Sequence, residues 1–382
     1  MSVDLELREE HKMLQAAVRD FCQKEMAPFV DGWEEKEEFP RDMLLPKTGE
    51  LGYNCICAPE KYGGAGMDKI SEVIVNEEVA KISLGLAESF CLASNYLGPI
   101  IWTHGTEEQC KKYLPPTIRG EWVGAFALTE HSGGSDPGTR MTKAVRQGDK
   151  WIVNGSNIFI TNGSICDYQL ILAVTNREKG TRGMTNFLMD WPVEGWSRTK
   201  LHKMGSRTSD EAEIFYDNVE IPLENQVGEE GRGYANALWL IGANRIPHAA
   251  RALGCAEAAF DLALSYAQER VVWGQPLIRH QSLEFKFAEM AAQIEGARLM
   301  VYKAARLFDQ NDPEWPRFAA MAKLTAAEAN RRVARDCMEV FGCYGLMSDH
   351  KAQRFFRDSQ CLVITEGTHE ILKMVISRPW TR

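Results

Sequence analysis

The segment around Glu366 combines a carboxylate with residues that would bury it. Four apolar-leaning residues, 361–364, run towards Glu366, so its carboxylate is expected at the edge of a buried pocket. A partly desolvated glutamate has a raised pKa and suits the role of a general base. In the other interpretation Gly367 only permits a tight turn, and Thr368 only caps a short final helix. The segment by itself leaves both interpretations open.

Two predicted strand ends carry groups that can bind an anionic or flat ligand. Residues 129–136 combine the hydroxyls of Thr129 and Ser135 with backbone NH groups freed by two glycines, which suits a phosphate or the polar edge of a ring. Further on, Phe159 stands near Thr161, which suits packing against a heterocycle and hydrogen bonding to it. Ordinary turns and strand ends use the same residue types, so this interpretation also stays open.

A predicted turn between two helices carries Arg270 and Trp273. An arginine and a tryptophan in an exposed turn suit pyrophosphate binding and ring stacking, or a contact between subunits. A plain helix-to-helix turn is the alternative. The eight histidines are scattered. Neither a metal site nor a Ser-His-Asp triad is therefore predicted.

Composition restricts the class of protein. The 382 residues allow two or three domains, and 45% hydrophobic with 25% charged residues is typical of a globular protein. A net charge of −9 argues against general nucleic-acid binding. No apolar run approaches the ~20 residues of a membrane span, and the first residues lack signal-peptide features, so a cytoplasmic protein without a membrane segment is expected. Ten cysteines without zinc spacing predict reduced thiols, mostly buried.

Hydrophobic periodicity places these groups on helices, then strands, then helices. The first predicted helix has an apolar face formed by Leu7, Leu14, Val18, Phe21 and Cys22. Other helices are predicted over residues 69–84, 87–103, 106–118, 238–268, 282–310 and 316–340. Between residues 121 and 231 the pattern is that of strands, with a hairpin predicted at Asn154 and Gly155.

An α+β fold with three domains follows. We expect an N-terminal all-α domain over residues 1–120 and a middle antiparallel β-domain of the barrel or sandwich type over residues 121–232. A C-terminal four-helix-bundle domain is expected over residues 233–382.

Six short motifs occur in order along the chain. They are residues 129–136, 158–163, 201–207, 269–281, 342–345 and 366–368. Each motif is weak alone, but the ordered set closely resembles the FAD-dependent acyl-CoA dehydrogenase family. The resemblance covers essentially the whole chain, and the family has the same α–β–α arrangement.

The resemblance implies an FAD bound between the β-domain and the C-terminal bundle. Thr129 and Thr161 would hydrogen-bond the isoalloxazine ring, and Phe159 would pack against it. The other implied contacts are Ser135 by the flavin phosphates or the pantetheine, Thr368 beside the flavin, Arg270, Trp273 and Gln281 on the adenine half of a neighbouring subunit's FAD, and Glu339 and Gly342 in the adenosine-binding turn. A homo-oligomer is therefore implied, most often a homotetramer.

Glu366 matches the catalytic base of the family's largest branch. The resemblance implies that Glu366 removes the α-proton of an acyl-CoA while the β-hydrogen passes as hydride to flavin N5, which gives the trans-2-enoyl-CoA. Donors at the thioester carbonyl, including the Glu366 backbone NH, would stabilise the enolate. Some branches place the base just before Arg245, but here Asn244 stands there and cannot take a proton. An electron-transferring flavoprotein is the implied electron acceptor.

The implied substrate contacts are Arg245 at the CoA-binding region, together with Ser135, Glu88, Thr365 and Gly367. The family commonly has a bulky aromatic residue at the position of Thr365, and a tryptophan is frequent at that of Phe159. These smaller side chains predict a wider acyl pocket, suited to a branched, alicyclic or aryl group.

Residues 86–96 should line that pocket. They contain no arginine, which weighs against a glutaryl-CoA-type decarboxylating enzyme. Glu88 is either an extra acid in the pocket or part of a solvated helix face. An enoyl-CoA reductase that runs the reverse reaction, and a non-catalytic, flavin-free binding or scaffold protein of the same fold, are the alternatives.

Overall fold

Helices form the first third of the chain in the computed structural model, which describes residues 6–381. They are α1 Glu9–Glu25, α2 Val30–Lys36, α3 Arg41–Glu50, α4 Lys69–Ile82, α5 Leu84–Cys91, α6 Gly98–His104 and α7 Glu107–Ile118. Val18, Phe21 and Cys22 are buried along α1, as the sequence pattern predicts. The helical segment predicted over residues 87–103 is confirmed, but it is not one continuous α-helix. Helix α5 continues into a π-helical turn, Leu92–Tyr96, and α6 then begins with a proline in its first turn.

The middle third is one sheet of eight strands. They are β1 Gly124–Ala127, β2 Lys143–Gln147, β3 Lys150–Thr161, β4 Tyr168–Val174, β5 Met184–Asp190, β6 Trp196–Lys200, β7 Glu211–Pro222 and β8 Gln226–Val227. The strand order is β6-β7-β3-β2-β4-β5-β8, and β1 pairs with β4. The pairing is mostly antiparallel, although β4 pairs in parallel with β1 and with one end of β2.

The hairpin predicted at Asn154 and Gly155 is wrong, because both residues lie inside the continuous strand β3. The hairpin turn instead joins Gln147 to Lys150, which are paired. Gly155 has φ 149° and marks an irregularity in the pairing with β7. A Cβ atom at residue 155 would stand 2.5 Å from Thr142 Oγ1, so this glycine permits a close approach between strands rather than a turn.

Long helices form the last third. They are α8 Gly233–Glu269, α9 Gln281–Asp309, α10 Trp315–Phe341, α11 Lys351–Leu362 and α12 His369–Thr381, with a short hairpin, β9 Val271–Val272 and β10 Gln275–Pro276, between α8 and α9. The three long helices predicted from periodicity are confirmed. Helix α10 packs against α8 and α9, and α4 packs against α8, which joins the N-terminal helices to the bundle.

The described residues contain neither a membrane-spanning helix nor a cluster of metal ligands. No helix between residues 6 and 381 is long and apolar enough to cross a membrane. Across the same residues, no group of three or more His, Cys, Asp or Glu side chains is placed to hold a metal ion. All ten cysteines are unpaired, and most are buried, as the sequence predicts.

Candidate active site

Glu366 lies in the turn between α11 and α12, and this turn is left-handed at two successive residues. The φ angles are 55° at Glu366 and 93° at Gly367. Such a φ is strained for a residue other than glycine, so the surroundings must hold it. Arg245 on α8 donates from Nε to the Glu366 carbonyl at 3.4 Å, and Lys323 on α10 donates from Nζ to the Gly367 carbonyl at 2.8 Å. Two buried basic side chains therefore fix the turn from two helices.

The side chain of Glu366 turns inwards from this turn. Its Oε2 atom is buried and has no hydrogen-bond partner among the described residues. Burial raises the pKa of Glu366, and the positive charge of Arg251 is the strongest influence in the opposite direction. A buried carboxylate with an unoccupied oxygen and a raised pKa can accept a proton from a carbon acid.

Tyr96 and Lys323 complete the surroundings of this carboxylate. Burial, followed by the nearby charge of Glu366, raises the pKa of Tyr96 well above its ordinary value, so the phenol stays protonated. Burial lowers the pKa of Lys323 to about 7, although the charge of Glu366 acts to raise it. The lysine is therefore only partly charged at neutral pH.

Thr365 is tied to the bundle through a histidine. Its Oγ1 lies 3.2 Å from His248 Nε2, and it donates to the Cys361 carbonyl at 3.1 Å. On the other side of the ring, His248 Nδ1 lies 2.8 Å from Nη2 of Arg251. Burial lowers the pKa of His248 well below its ordinary value, so the ring is neutral.

Glu88 lies on α5, in the segment predicted to line the acyl cavity. It is half-buried, and the Ser206 hydroxyl donates a hydrogen bond to its carboxylate. Ser206 is held in turn, because its backbone NH donates to Asp358 at 2.7 Å. These contacts place Glu88 inside the protein rather than on a solvated helix face.

Thr129, Phe159 and Thr161 meet at one place on the sheet. The Phe159 ring is 63% exposed on a residue with φ 59°, at an irregularity of β3. The Thr129 carbonyl accepts from Ile158 NH at 3.0 Å, which ties the loop after β1 to the strand that carries Phe159. The Thr161 hydroxyl donates to Glu211 at 3.3 Å. An exposed aromatic ring two residues before Thr161, on a strand tied to the loop of Thr129, fits one face of a flat heterocycle.

Ser135 lies in an exposed loop, whereas Thr368 lies at the start of the last helix. Ser135 is exposed in the loop after β1, close behind Gly133 with its φ of 149°. Thr368 accepts from Ile371 NH at 3.4 Å, so the predicted N-cap of the last helix is confirmed.

The remaining predicted FAD contacts lie at helix ends of the bundle. Arg270 and the 90% exposed Trp273 follow α8, and Gln281 begins α9. Glu339 lies near the end of α10 and pairs with Lys286 at 2.8 Å, and Gly342 follows with φ 58°. Since α8 rises ~1.5 Å per residue, the 25 residues between Arg245 and Arg270 separate them by about 37 Å. One chain therefore does not bring Arg270 and the hairpin that follows it to Glu366.

Comparison with known proteins decides the family. Profiles of the acyl-CoA dehydrogenase N-terminal, middle and C-terminal domains match residues 8–121, 125–219 and 231–380. The chain belongs to the acyl-CoA dehydrogenase family. It is thus an enzyme, an oxidoreductase of a family that depends on FAD.

Relatives of this acyl-CoA dehydrogenase match along nearly their full length. The short-chain specific acyl-CoA dehydrogenase of Clostridium acetobutylicum is 39% identical, over 98% of this chain and 99% of that protein. The caffeyl-CoA reductase-Etf complex subunit CarC of Acetobacterium woodii is 39% identical over 97% of both chains. The structure of butyryl-CoA dehydrogenase from Megasphaera elsdenii superposes with a TM-score of 0.96 at 36% identity and covers 100% of both chains.

Sequence reasoning missed three polar residues of this acyl-CoA dehydrogenase's site, namely His248, Arg251 and Lys323. All three lie inside long helices and are buried. Spacing could have found Lys323, because it falls on the same helix face as the buried Ala319 and Ala326. His248 and Arg251 share a buried face of α8 with Asn244 and Cys255 at the same helical spacing.

Proposed function

We propose that this enzyme removes the α-proton of an acyl-CoA thioester with Glu366 and forms the 2-enoyl-CoA. The observation that carries this proposal is the buried, unpartnered Oε2 of Glu366 on a turn held by Arg245 and Lys323. An unpartnered carboxylate oxygen is costly in a folded protein unless a ligand uses it. A substrate α-proton is the group that this oxygen is placed to accept.

The chain's own residues account for the proton transfer. A raised pKa makes Glu366 a stronger base, and each unit corresponds to about 1.4 kcal/mol of proton affinity. The Arg245 and Lys323 contacts use the carbonyls of residues 366 and 367, which leaves the backbone NH of Glu366 for the thioester oxygen. Tyr96 stays protonated near the carboxylate and, as a hydrogen-bond donor, acts to lower the pKa of Glu366.

The residues at the sheet edge fit FAD. Thr129, Phe159 and Thr161 would hold the ring, and Ser135 would lie by the phosphates or the pantetheine. Their support is the exposed Phe159 ring on β3, together with the hydrogen bond from Ile158 NH to the Thr129 carbonyl. When bound, FAD supplies the acceptor for the β-hydrogen, which leaves as hydride.

The second part of the proposal concerns which acyl group the enzyme prefers. Thr365 leaves more room than an aromatic residue would, which supports a branched, alicyclic or aryl group. Relatives carry names as different as short-chain specific acyl-CoA dehydrogenase and caffeyl-CoA reductase. Because the second name describes reduction, an enoyl-CoA reductase that uses the same site in reverse is the second candidate.

We further propose a homo-oligomer, a tetramer by family likeness, that passes electrons to an electron-transferring flavoprotein. Large apolar side chains are exposed on α9, α12 and the hairpin after α8, among them Phe285, Leu299, Met374, Trp380 and Trp273. Such a surface indicates protein contact. In an oligomer, Arg270, Trp273 and Gln281 could reach the FAD of a neighbour, and the relative in an Etf complex supports the partner. The three domains are proposed to divide near residues 120 and 232, where helices and strands change over.

Anaerobic mixing of the purified protein with a panel of acyl-CoA esters tests this proposal. Straight, branched, alicyclic and aryl acyl groups should each be tried while flavin absorbance is followed. Bleaching by a branched, alicyclic or aryl ester is expected, and a preference for butyryl-CoA would contradict the wide pocket. Faster reoxidation of the reduced protein by enoyl-CoA than reduction by acyl-CoA would favour the reductase. A colourless protein would favour a non-catalytic member of the fold.

A further inference from the structure

Arg251 is a buried cation without a carboxylate partner. Its side chain is 1% exposed, and its hydrogen bonds to described side chains go to His248, Asn76 and Cys91 rather than to an Asp or Glu. Nη2 donates to His248 at 2.8 Å, and Nη1 reaches Asn76 only at 3.5 Å. The Nε atom is buried and has no partner among the described residues. A buried guanidinium with an unpartnered NH group destabilises the fold unless another acceptor binds that group.

The guanidinium of Arg251 lies close enough to Glu366 for its charge to act on the carboxylate. Its charge acts on Glu366 more strongly than that of Arg245 or Lys323 does. It also acts on Cys91 and Glu88 of α5, the segment predicted to line the acyl cavity. Arg251 and Thr365 contact opposite nitrogens of the His248 ring, so a single ring separates Arg251 from the residue that precedes the proposed base. Helix α8, which carries Arg251, also packs against α5, the proposed wall of the acyl pocket.

The hydrogen bonds around His248 have only one consistent direction. A guanidinium can only donate, so His248 Nδ1 accepts from Arg251 and the ring proton is on Nε2. Nε2 then donates to Thr365 Oγ1, and Thr365 donates to the Cys361 carbonyl. The ring's one acceptor is thus already used, so it cannot satisfy Nε of Arg251 as well.

We propose that Arg251 recognises an oxygen acceptor on the acyl chain, so that the preferred acyl group carries a hydroxyl or a carboxylate beyond its reacting carbons. This inference rests on the proposed function, since it places the acyl group beside Glu366. The absence of arginine from residues 86–96 is offset in this way by an arginine from α8. Arg251 acts as a specificity residue and takes no part in the proton transfer.

Equilibrium binding to the FAD-loaded Glu366→Gln protein tests the proposal without turnover. The probes are matched in length: hexanoyl-CoA, 6-hydroxyhexanoyl-CoA and adipoyl-CoA, with butyryl-CoA, 4-hydroxybutyryl-CoA and succinyl-CoA as the shorter set. At least one oxygenated ester should bind about 10- to 100-fold more tightly than its plain counterpart, as for a hydrogen bond to a charged donor. The hydroxyl and carboxylate members show which oxygen group is preferred.

The variants separate recognition from structure. Glu366→Gln/Arg251→Gln should lose the difference between oxygenated and plain esters, whereas Glu366→Gln/Arg251→Lys should keep part of it for the carboxylates. A purely structural Arg251 would instead weaken all esters equally when replaced. Equal affinity for plain and oxygenated esters of both lengths in the Glu366→Gln protein would overturn the proposal, and this comparison needs no change at Arg251.

Failure of the role of Arg251 can be distinguished from failure of the dehydrogenase proposal. If no ester bleaches the flavin of the unaltered protein but the binding preference is present, only the proposed reaction fails. If plain esters bleach the flavin and no preference exists, only the role of Arg251 fails.

Discussion

Lys323 donates a 2.8 Å hydrogen bond from a buried ammonium group to the carbonyl oxygen of Gly367, the residue directly after the proposed base. This bond joins the middle of α10 to a turn that carries two left-handed residues. Because the turn is strained, its geometry depends on such contacts. The lysine thus has two effects on Glu366: it holds the backbone, and its charge lowers the carboxylate's pKa.

Replacement of Lys323 by methionine should change the pH dependence of the reaction. Removing a nearby positive charge raises the pKa of Glu366 further, so the acid limb of kcat/KM should move to higher pH by ~1 unit. The fall in kcat/KM relative to the unaltered protein should be larger at pH 6 than at pH 8. The reason is that the pKa of Lys323 is about 7, so its charge is present mainly below that pH. In Lys323→Arg, which keeps a positive charge, the acid limb of kcat/KM should stay close to its original pH. An unchanged pH profile in Lys323→Met would count against this role.

Thr365 should control the width of the acyl pocket. In Thr365→Tyr the larger ring should slow flavin reduction by branched or aryl esters by ~10-fold or more relative to straight ones, since overfilling a pocket costs about 1–3 kcal/mol. Thr365→Val is the matched control, because it keeps the volume and removes only the hydroxyl that meets His248. Equal slowing of all esters by Thr365→Tyr would show that residue 365 does not face the acyl group.

Gly85 permits α5 to approach the loop that holds Glu88. A Cβ atom at residue 85 would stand 2.4 Å from Thr208 Oγ1 and 2.7 Å from Ser209 N. Gly85→Ala should therefore reduce the free energy of unfolding by about 1–3 kcal/mol and disturb the contact between Glu88 and Ser206. Gly32→Ala in α2, where nothing lies within 4 Å, should be neutral or slightly stabilising. Denaturant unfolding measures the free energy of unfolding of both variants. Equal changes in the two variants would contradict the close approach at Gly85.

A buried ion pair joins the N-terminal helices to the bundle. Arg298 on α9 donates to Glu77 on α4 at 3.1 Å, and Glu77 is fully buried. Arg298→Met should cost about 1–3 kcal/mol of unfolding free energy, because it removes one partner of a buried carboxylate that keeps Tyr302 and Lys81 beside it. Arg331→Met breaks a partly exposed pair with Glu328 and should cost less than about 1 kcal/mol. Similar losses in the two variants would show that Glu77 does not depend on Arg298.

Periodicity predicted the long helices, because it is local in sequence. Glu366 was singled out as the base only by the order of six motifs along the whole chain. The hairpin at Asn154 and Gly155 was predicted wrongly since the same dipeptide serves a turn or a strand irregularity, and the close approach of Thr142 decides between them. Arg251 could not be predicted, because its importance depends on helix packing that brings α8 beside α5 and the last turn. Which polar groups face one another is a tertiary property.

The reduction rate of the flavin in Glu366→Gln tests the central claim most directly. The unaltered protein and the variant should be mixed anaerobically with the ester that bleaches the unaltered protein fastest. Equal FAD content and ester affinity, with reduction slowed by at least ~10²-fold, is the result expected for loss of the base. A near-normal reduction rate in Glu366→Gln would contradict the assignment and transfer the role to another acid such as Glu88.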